Sequence, residues 1–292
     1  MKKFFSIIVL IVWQLSLSSC QTDRMKTSST DVCTIAIEDE PNSFDPRLIR
    51  TSCAINIAHL IGEGLFRFDG DQLLPALVES FTLDATGTRY TFTLKNAHWS
   101  NMDPITASDF ELTIKSVLIP STPSPHVHQL YAIKGAQDAI MNRSHGSDIG
   151  IKAIDNQTLM FELEQPTPNF LALLATHFFY PVHHSNLAFD HKGVSISSGP
   201  FVLNTHIPGS EIILKKNEMF WDADAVLLNQ IHLLPLNDQL ALNMFENGQI
   251  DWVGSPIGRL SPEALSHLKE SDQLQTKDAL GTFWIRVNIL DP

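Results

Sequence analysis

Cysteine, tyrosine and basic side chains are scarce in this sequence: its 292 residues hold three Cys, three Tyr and 20 Lys plus Arg against 32 Asp plus Glu. Three cysteines without a C-x-x-C pair are too few for a disulfide framework and exclude a zinc ribbon or a thioredoxin-type redox pair. A formal net charge of −12 argues against nucleic acid, or any polyanion, as a partner. Also absent are the nucleophile elbow, the zinc-protease His-Glu pair, the phosphate loop and the dinucleotide glycine fingerprint, each of which places specific groups where a reaction needs them. The expectation is therefore a protein that is not an enzyme and uses no cofactor. What is present, 43% hydrophobic and 18% charged residues, is the composition of a folded globular protein.

The amino terminus reads as an address. Lys2 and Lys3 precede an apolar run over 4–17, and the small residues Ser18 and Ser19 stand just before Cys20. The run is shorter than the roughly 20 residues a membrane-spanning helix needs. Leu17-Ser18-Ser19-Cys20 resembles the lipobox of bacterial lipoproteins, which predicts a signal peptide over 1–19, lipid attachment at Cys20 and a periplasmic or cell-envelope location at a membrane surface. Residues 20–31 are polar without apolar periodicity, as a flexible tether would be, and the folded part is expected from Val32.

Short β-branched or alternating runs at 33–37, 90–94, 158–163, 201–204 and 212–214 predict strands. Thr106-Ala107-Ser108-Asp109 is a box-like helix start, followed on one face by Phe110, Ile114 and Val117. A second helix opens at Ser261-Pro262-Glu263 with Leu265 and Leu268 apolar, and a third runs from about Asp238 to Gly248 with Leu240, Met244 and Phe245 inward. The proline-rich stretch 119–125 is expected to be a surface loop. The class is mixed α/β.

Histidines concentrate at His126, His128, His177, His183, His184 and His191. A metal site needs converging imidazoles. His183 and His184, adjacent in an expected extended segment, should point apart, and no metal is assigned. Cys33 and Cys53 are either a disulfide or a pair of buried thiols.

From residue 40 onward the sequence resembles the family 5 extracellular solute-binding proteins, the oligopeptide-binding components of ABC importers. Glu40-Pro41-Asn42-Ser43-Phe44-Asp45-Pro46 is similar to E-P-x-S-L-D-P, and Glu63-Gly64-Leu65 and Pro75-Ala76-Leu77 with Glu79-Ser80 follow in family order. So do the strand from Tyr90 to Trp99-Ser100, the T-A-x-D-F start at 106–110, and Gly150-Ile151-Lys152-Ala153-Ile154-Asp155. Gly199-Pro200-Phe201, Asn217 with Phe220-Trp221, and Asn247-Gly248-Gln249-Ile250-Asp251 complete the series.

The resemblance implies a periplasmic-binding-protein type II-like fold: a lobe I built from 32–62 and 183–292, with an inserted α+β subdomain at 63–182, and a sequence that stops at Pro292 before a second lobe. It implies capture of an extended peptide for a membrane permease and its ATPase. The residues carried over as peptide-binding are Arg50, Ser52, His126, Trp252, Gly254, Ser255, Thr282 and Trp284. Arg50 stands where oligopeptide receptors place an acid. Trp252 and Trp284 either wall pockets or pack in the core, and Gly254 would let a ligand backbone approach. The competing readings are a receptor half acting as an interaction lipoprotein, and a receptor for another cargo: a nickel chelate, haem or cell-wall peptide.

Overall fold

The computed structural model describes residues 31–118, 124–141, 149–187 and 196–277. Cys20, Thr282 and Trp284, His191 and the core of the proline-rich stretch at 119–123 lie outside the described residues. In chain order the elements are β1 (Val32–Ile37), α1 (Ser52–Ile61), β2 (Phe66–Asp69), β3 (Gln72–Pro75), β4 (Val78–Leu83), β5 (Arg89–Leu94), α2 (Ala107–Val117), α3 (Ala136–Ile140), β6 (Ile151–Ala153), β7 (Thr158–Glu162), α4 (Phe170–Leu173), β8 (Phe201–Ile207), β9 (Glu211–Lys216), β10 (Gln230–Pro235), α5 (Asp238–Glu246) and α6 (Pro262–Glu270).

The first sheet has the order β1-β10-β9-β8, parallel between β1 and β10 and antiparallel elsewhere. Residues 250–253 flank the other side of β1: the Ala36 amide donates to the Trp252 carbonyl at 3.1 Å, and the Asp251 amide donates to the Thr34 carbonyl at 2.8 Å. β10, α5 and this segment thus form a parallel crossover, with β1 laid between its two strands. One face of the sheet packs on α1 through Ile57, Ile61, Phe201 and Leu214, all buried.

The second sheet, β4-β5-β7-β6, is antiparallel throughout. Along β5 the residues Tyr90, Phe92 and Leu94 are buried while Arg89, Thr91 and Thr93 are not, the alternation expected of a strand with one face on a core. α2 closes that core with Phe110, Ile114 and Val117, and its start is capped as predicted: the Asp109 carboxylate accepts from the Thr106 amide at 2.8 Å.

Where the chain passes between the two sheets the packing leaves no room for side chains. A Cβ on Gly62 or Gly64 would lie 2.7 Å from the ring of Tyr180, and one on Gly199 would lie 2.5 Å from the Gly62 amide nitrogen. Tyr180 is itself buried, its hydroxyl 2.6 Å from His59 Nδ1. Because the obstruction at Gly199 is main chain and cannot swing aside, Gly199→Ala is expected to cost about 1–3 kcal/mol of stability. Urea unfolding measures it, and a loss below about 0.5 kcal/mol would show that the seam yields.

Several expectations need correction. Leu240 is 45% exposed, because Ala241, Met244 and Phe245 define the inward face of α5. Leu265 is likewise exposed, and Leu268 carries the packing of α6. His183 and His184 do not point apart: they sit at a 3-10 turn with ring centroids 4.0 Å apart. His183 is buried and bonds Asp103 at 2.9 Å, and among the described residues no group of three His, Cys, Asp or Glu could hold a metal ion. Cys33 and Cys53 are free thiols.

Candidate ligand-binding cleft

The carboxyl ends of sheet strands are where open α/β folds bind ligands. Here β1 runs out into Glu38 and Asp39, and the chain returns to the same place at the start of α1. Thr51 caps that helix, its Oγ1 accepting from the Ala54 amide at 3.3 Å. From the other side the 250–253 segment turns back sharply: Gly254 has φ +94° and the Ser255-Pro256 peptide is cis. The turn is closed by the Gly258 amide on the Gly254 carbonyl at 2.8 Å. Asn56 of α1 holds it in place, donating through Nδ2 to the Ser52 and Pro256 carbonyls at 2.8 and 3.1 Å.

The result is a cleft of about 350 Å³ lined by Glu38, Asp39, Thr51, Ser52, Cys53 and the turn 256–259. Its charged groups are Glu38, Asp39 and Arg259, with Arg259 Nε 3.1 Å from a Glu38 oxygen. Cys53 is buried, and its thiol is pushed up to about 11, first by burial and then by the Asp39 and Glu38 charges, so it is a weak nucleophile. The cleft offers hydroxyl, carboxylate and main-chain groups for holding a ligand, and no arrangement for transforming one.

The residues expected from sequence are only partly assembled here. Ser52 is exposed on the cleft wall. Arg50 is exposed just before the α1 cap, its amide donating to Asn42 Oδ1 at 3.0 Å, and it does not line the cleft. Trp252 is 42% exposed, and its indole donates to the Ser255 carbonyl at 3.2 Å, so this Trp is not a core residue. Gly254 is glycine for its positive φ, and Leu260 fills the space above it, with side-chain atoms 3.0 Å from where a Cβ would sit. His126 uses Nε2 on the Ile49 carbonyl at 3.0 Å and packs edge-on against His177, joining its own turn to the chain ahead of α1.

Sequence reasoning missed Glu38, Asp39, Cys53 and Arg259. The available signal was that Glu38 and Asp39 directly follow a strand end. Arg259 reaches the cleft only through the turn after Gly254, which no local pattern announces.

Comparison with known proteins bears directly on this architecture. The family described as bacterial extracellular solute-binding proteins, family 5 (middle), matches residues 72–292. This chain belongs to that family. Among curated family 5 relatives, the oligopeptide-binding protein OppA of Bacillus subtilis is 32% identical, over 99% of this chain and 56% of its own length. The dipeptide-binding protein DppE of the same organism is 29% identical, over 91% of this chain and 50% of its own. Of solved structures, the Escherichia coli murein tripeptide binding protein MppA superimposes with a TM-score of 0.78 at 25% identity, covering 84% of this chain and 49% of that one. The chain thus spans about half the length of the family 5 relatives it matches.

At the seam the family motifs bond to one another. The Glu63 amide donates to Ser198 Oγ at 3.0 Å, and Asn217 Nδ2 donates to the Gly199 carbonyl at 2.8 Å. The E-G-L, G-P-F and Asn217 pieces of the sequence therefore meet at one place, away from the cleft.

Proposed function

We propose that this chain captures extended peptides as the substrate-binding component of an ABC importer, handing them to a membrane permease driven by an ATPase, and that a lipid on Cys20 tethers it to the membrane. One observation carries the reading. Among the described residues, the 250–253 segment is paired with β1 on one edge only. The Val253 amide and the Asp251 carbonyl take no hydrogen-bond partner among the described residues. An extended peptide supplies one donor and one acceptor per residue and can add to such an edge, with its side chains falling into wet space beside it. The adjoining cleft supplies that space.

The oligopeptide-, dipeptide- and murein tripeptide-binding names of the family 5 relatives support peptide as the cargo class. In the same reading, 32–62 and 183–292 are lobe I and 63–182 is the inserted subdomain. Support comes from the sheets, since β1, β8, β9 and β10 make one and β4 to β7 make the other. No helix among the described residues is long and apolar enough to cross a membrane. Cys20→Ala is expected to move the protein from the membrane to the soluble fraction on fractionation, and continued membrane association would remove the lipid tether from the proposal.

Calorimetric titration with trialanine tests the binding reading. Val253→Pro removes that amide and should raise Kd about tenfold, the worth of one hydrogen bond near the top of its usual range. Trp252→Ala should weaken binding while leaving unfolding free energy within about 1 kcal/mol, as its exposure dictates. Trialanine that fails to bind the unmodified chain, or binds Val253→Pro equally well, overturns it.

A further inference from the structure

A second cavity, of about 630 Å³, shares no lining residue with the cleft. Its walls include Glu63 of the E-G-L motif, Arg67 and Phe68 of β2, Phe201 at the start of β8, and Phe220 and Asp222 from the stretch after β9. Most of the lining is apolar, and the volume lies in the range of small-molecule sites.

Its buried carboxylate is loosely met. The Glu63 side chain is 5% exposed, yet its two side-chain contacts are long: Arg67 Nη1 at 3.5 Å and the Trp221 indole at 3.4 Å. Arg67 turns its other nitrogen to Asp222 at 3.1 Å, so two carboxylates share one guanidinium. Lys95 does not line the cavity and holds its ammonium over the Trp221 ring, 3.5 Å from the centroid. His59 and Tyr180, on the remaining wall, are bonded to each other, and burial pushes the His59 pKa down. Arg67 is thus shared, Lys95 acts on Glu63 and Asp222 through space from behind the Trp221 ring, and beside a Gly64 main-chain bond the Glu63 carboxylate keeps long side-chain contacts.

We infer that this cavity is a second ligand site, taking a primary amine with an aromatic or branched apolar body, its ammonium on Glu63 and its body against Phe68, Phe201 and Phe220. An anionic ligand would face Glu63 and Asp222 with Arg67 already engaged. A neutral one would leave Glu63 as poorly met as before.

The site has a pH signature. Burial carries the Glu63 pKa up to about 7, with Arg67 and Trp221 offsetting only part of the shift. An arriving ammonium displaces that proton, so affinity should rise about tenfold between pH 6 and pH 8. Of the other groups at the pocket, burial pushes the His59 pKa down and the Tyr180 pKa up, Arg67 and Asp222 stand beside Glu63, and Lys95 lies behind the Trp221 ring with its pKa lowered first by burial.

The experiment is titration of the full chain with 2-phenylethylamine, in parallel with 2-phenylethanol and 3-phenylpropanoate, at pH 6 and pH 8. The amine should bind in preference to both analogues, gain about tenfold with pH, and lose at least tenfold in Glu63→Gln, where the pH dependence should also vanish. Val226→Trp, which fills the cavity from another wall, should abolish amine binding, with its melting curve checking the fold; it decides the matter if Glu63→Gln does not fold. Excess trialanine should leave the amine bound. No amine binding to the unmodified chain, equal binding of the alcohol or the propanoate, full affinity in Val226→Trp, or displacement by trialanine would each overturn the site.

Discussion

Arg47→Ala should lose about 3–5 kcal/mol of stability, the cost of breaking a buried ion pair from one side. Arg47 is the first residue past the S-F-D-P run, and its side chain is fully buried. It grips Asp45 side-on, Nε to Oδ1 at 2.9 Å and Nη2 to Oδ2 at 2.6 Å. The remaining nitrogen hydrogens reach Ser116 Oγ on α2 at 2.9 Å and the carbonyls of Asn186 and Leu187 at 3.1 and 3.3 Å. One guanidinium thus ties the 43–50 stretch, which leads into the cleft wall, to α2 and to the 186–187 turn. Truncation takes the guanidinium from those oxygens and from the largely buried Asp45 carboxylate, which keeps the Arg47 main-chain amide at 2.9 Å. Arg47→Lys should recover little, because a point-charge ammonium cannot replace the planar fork. Urea midpoints of the two variants test this; a loss below about 1 kcal/mol in Arg47→Ala would show that water replaces the network.

Acid should weaken the fold through His177. Its ring is buried where α1, the 126 turn and the 177 turn meet, with His59 at 6.4 Å and His126 at 5.4 Å between ring centroids, and its Nε2 has no hydrogen-bond partner among the described residues. Burial first, then the neighbouring His126 and His59, push its pKa down to about 4. The unfolded chain takes up this proton near pH 6.5 and the folded one only near 4. Stability from this group is therefore fully present above pH 6.5 and is lost as pH falls from there to 4, by about 3 kcal/mol. His59, also lowered by burial, acts in the same direction. His177→Leu should flatten the slope of unfolding free energy against pH in this window. An unchanged slope would place the titrating group elsewhere.

Local signals were read well where one element carries all of the information. The Thr106-Asp109 box, the Ser261-Pro262 start and the alternation of β5 each encode their structure within a few residues. α1 went unread although Cys53, Ala54, Ile57, Ala58 and Ile61 recur at helical spacing behind Thr51; its isoleucines favour strand locally, and burial against the first sheet decides for helix. Leu240 was misplaced because the inward stripe of α5 runs through Ala241, a residue too small to advertise a face. The family motifs located the fold, but most of them map to the seam. The cleft depends on a turn after Gly254 meeting a strand end more than two hundred residues earlier, and sequence separation on that scale hides it.

The same separation governs the order of assembly. β1 is the earliest of the described elements, yet its neighbours on both sides arrive late: β10 on one edge, and on the other a segment whose Asp251 carboxylate accepts from the Thr34 amide across 217 residues. Until those pieces exist, β1 has nothing to pair with. The second sheet, whose strands are nearer in sequence, can close first, and β1 is the last strand to be locked in place. A chain emerging from its amino end thus keeps its first strand unpaired through most of its delivery.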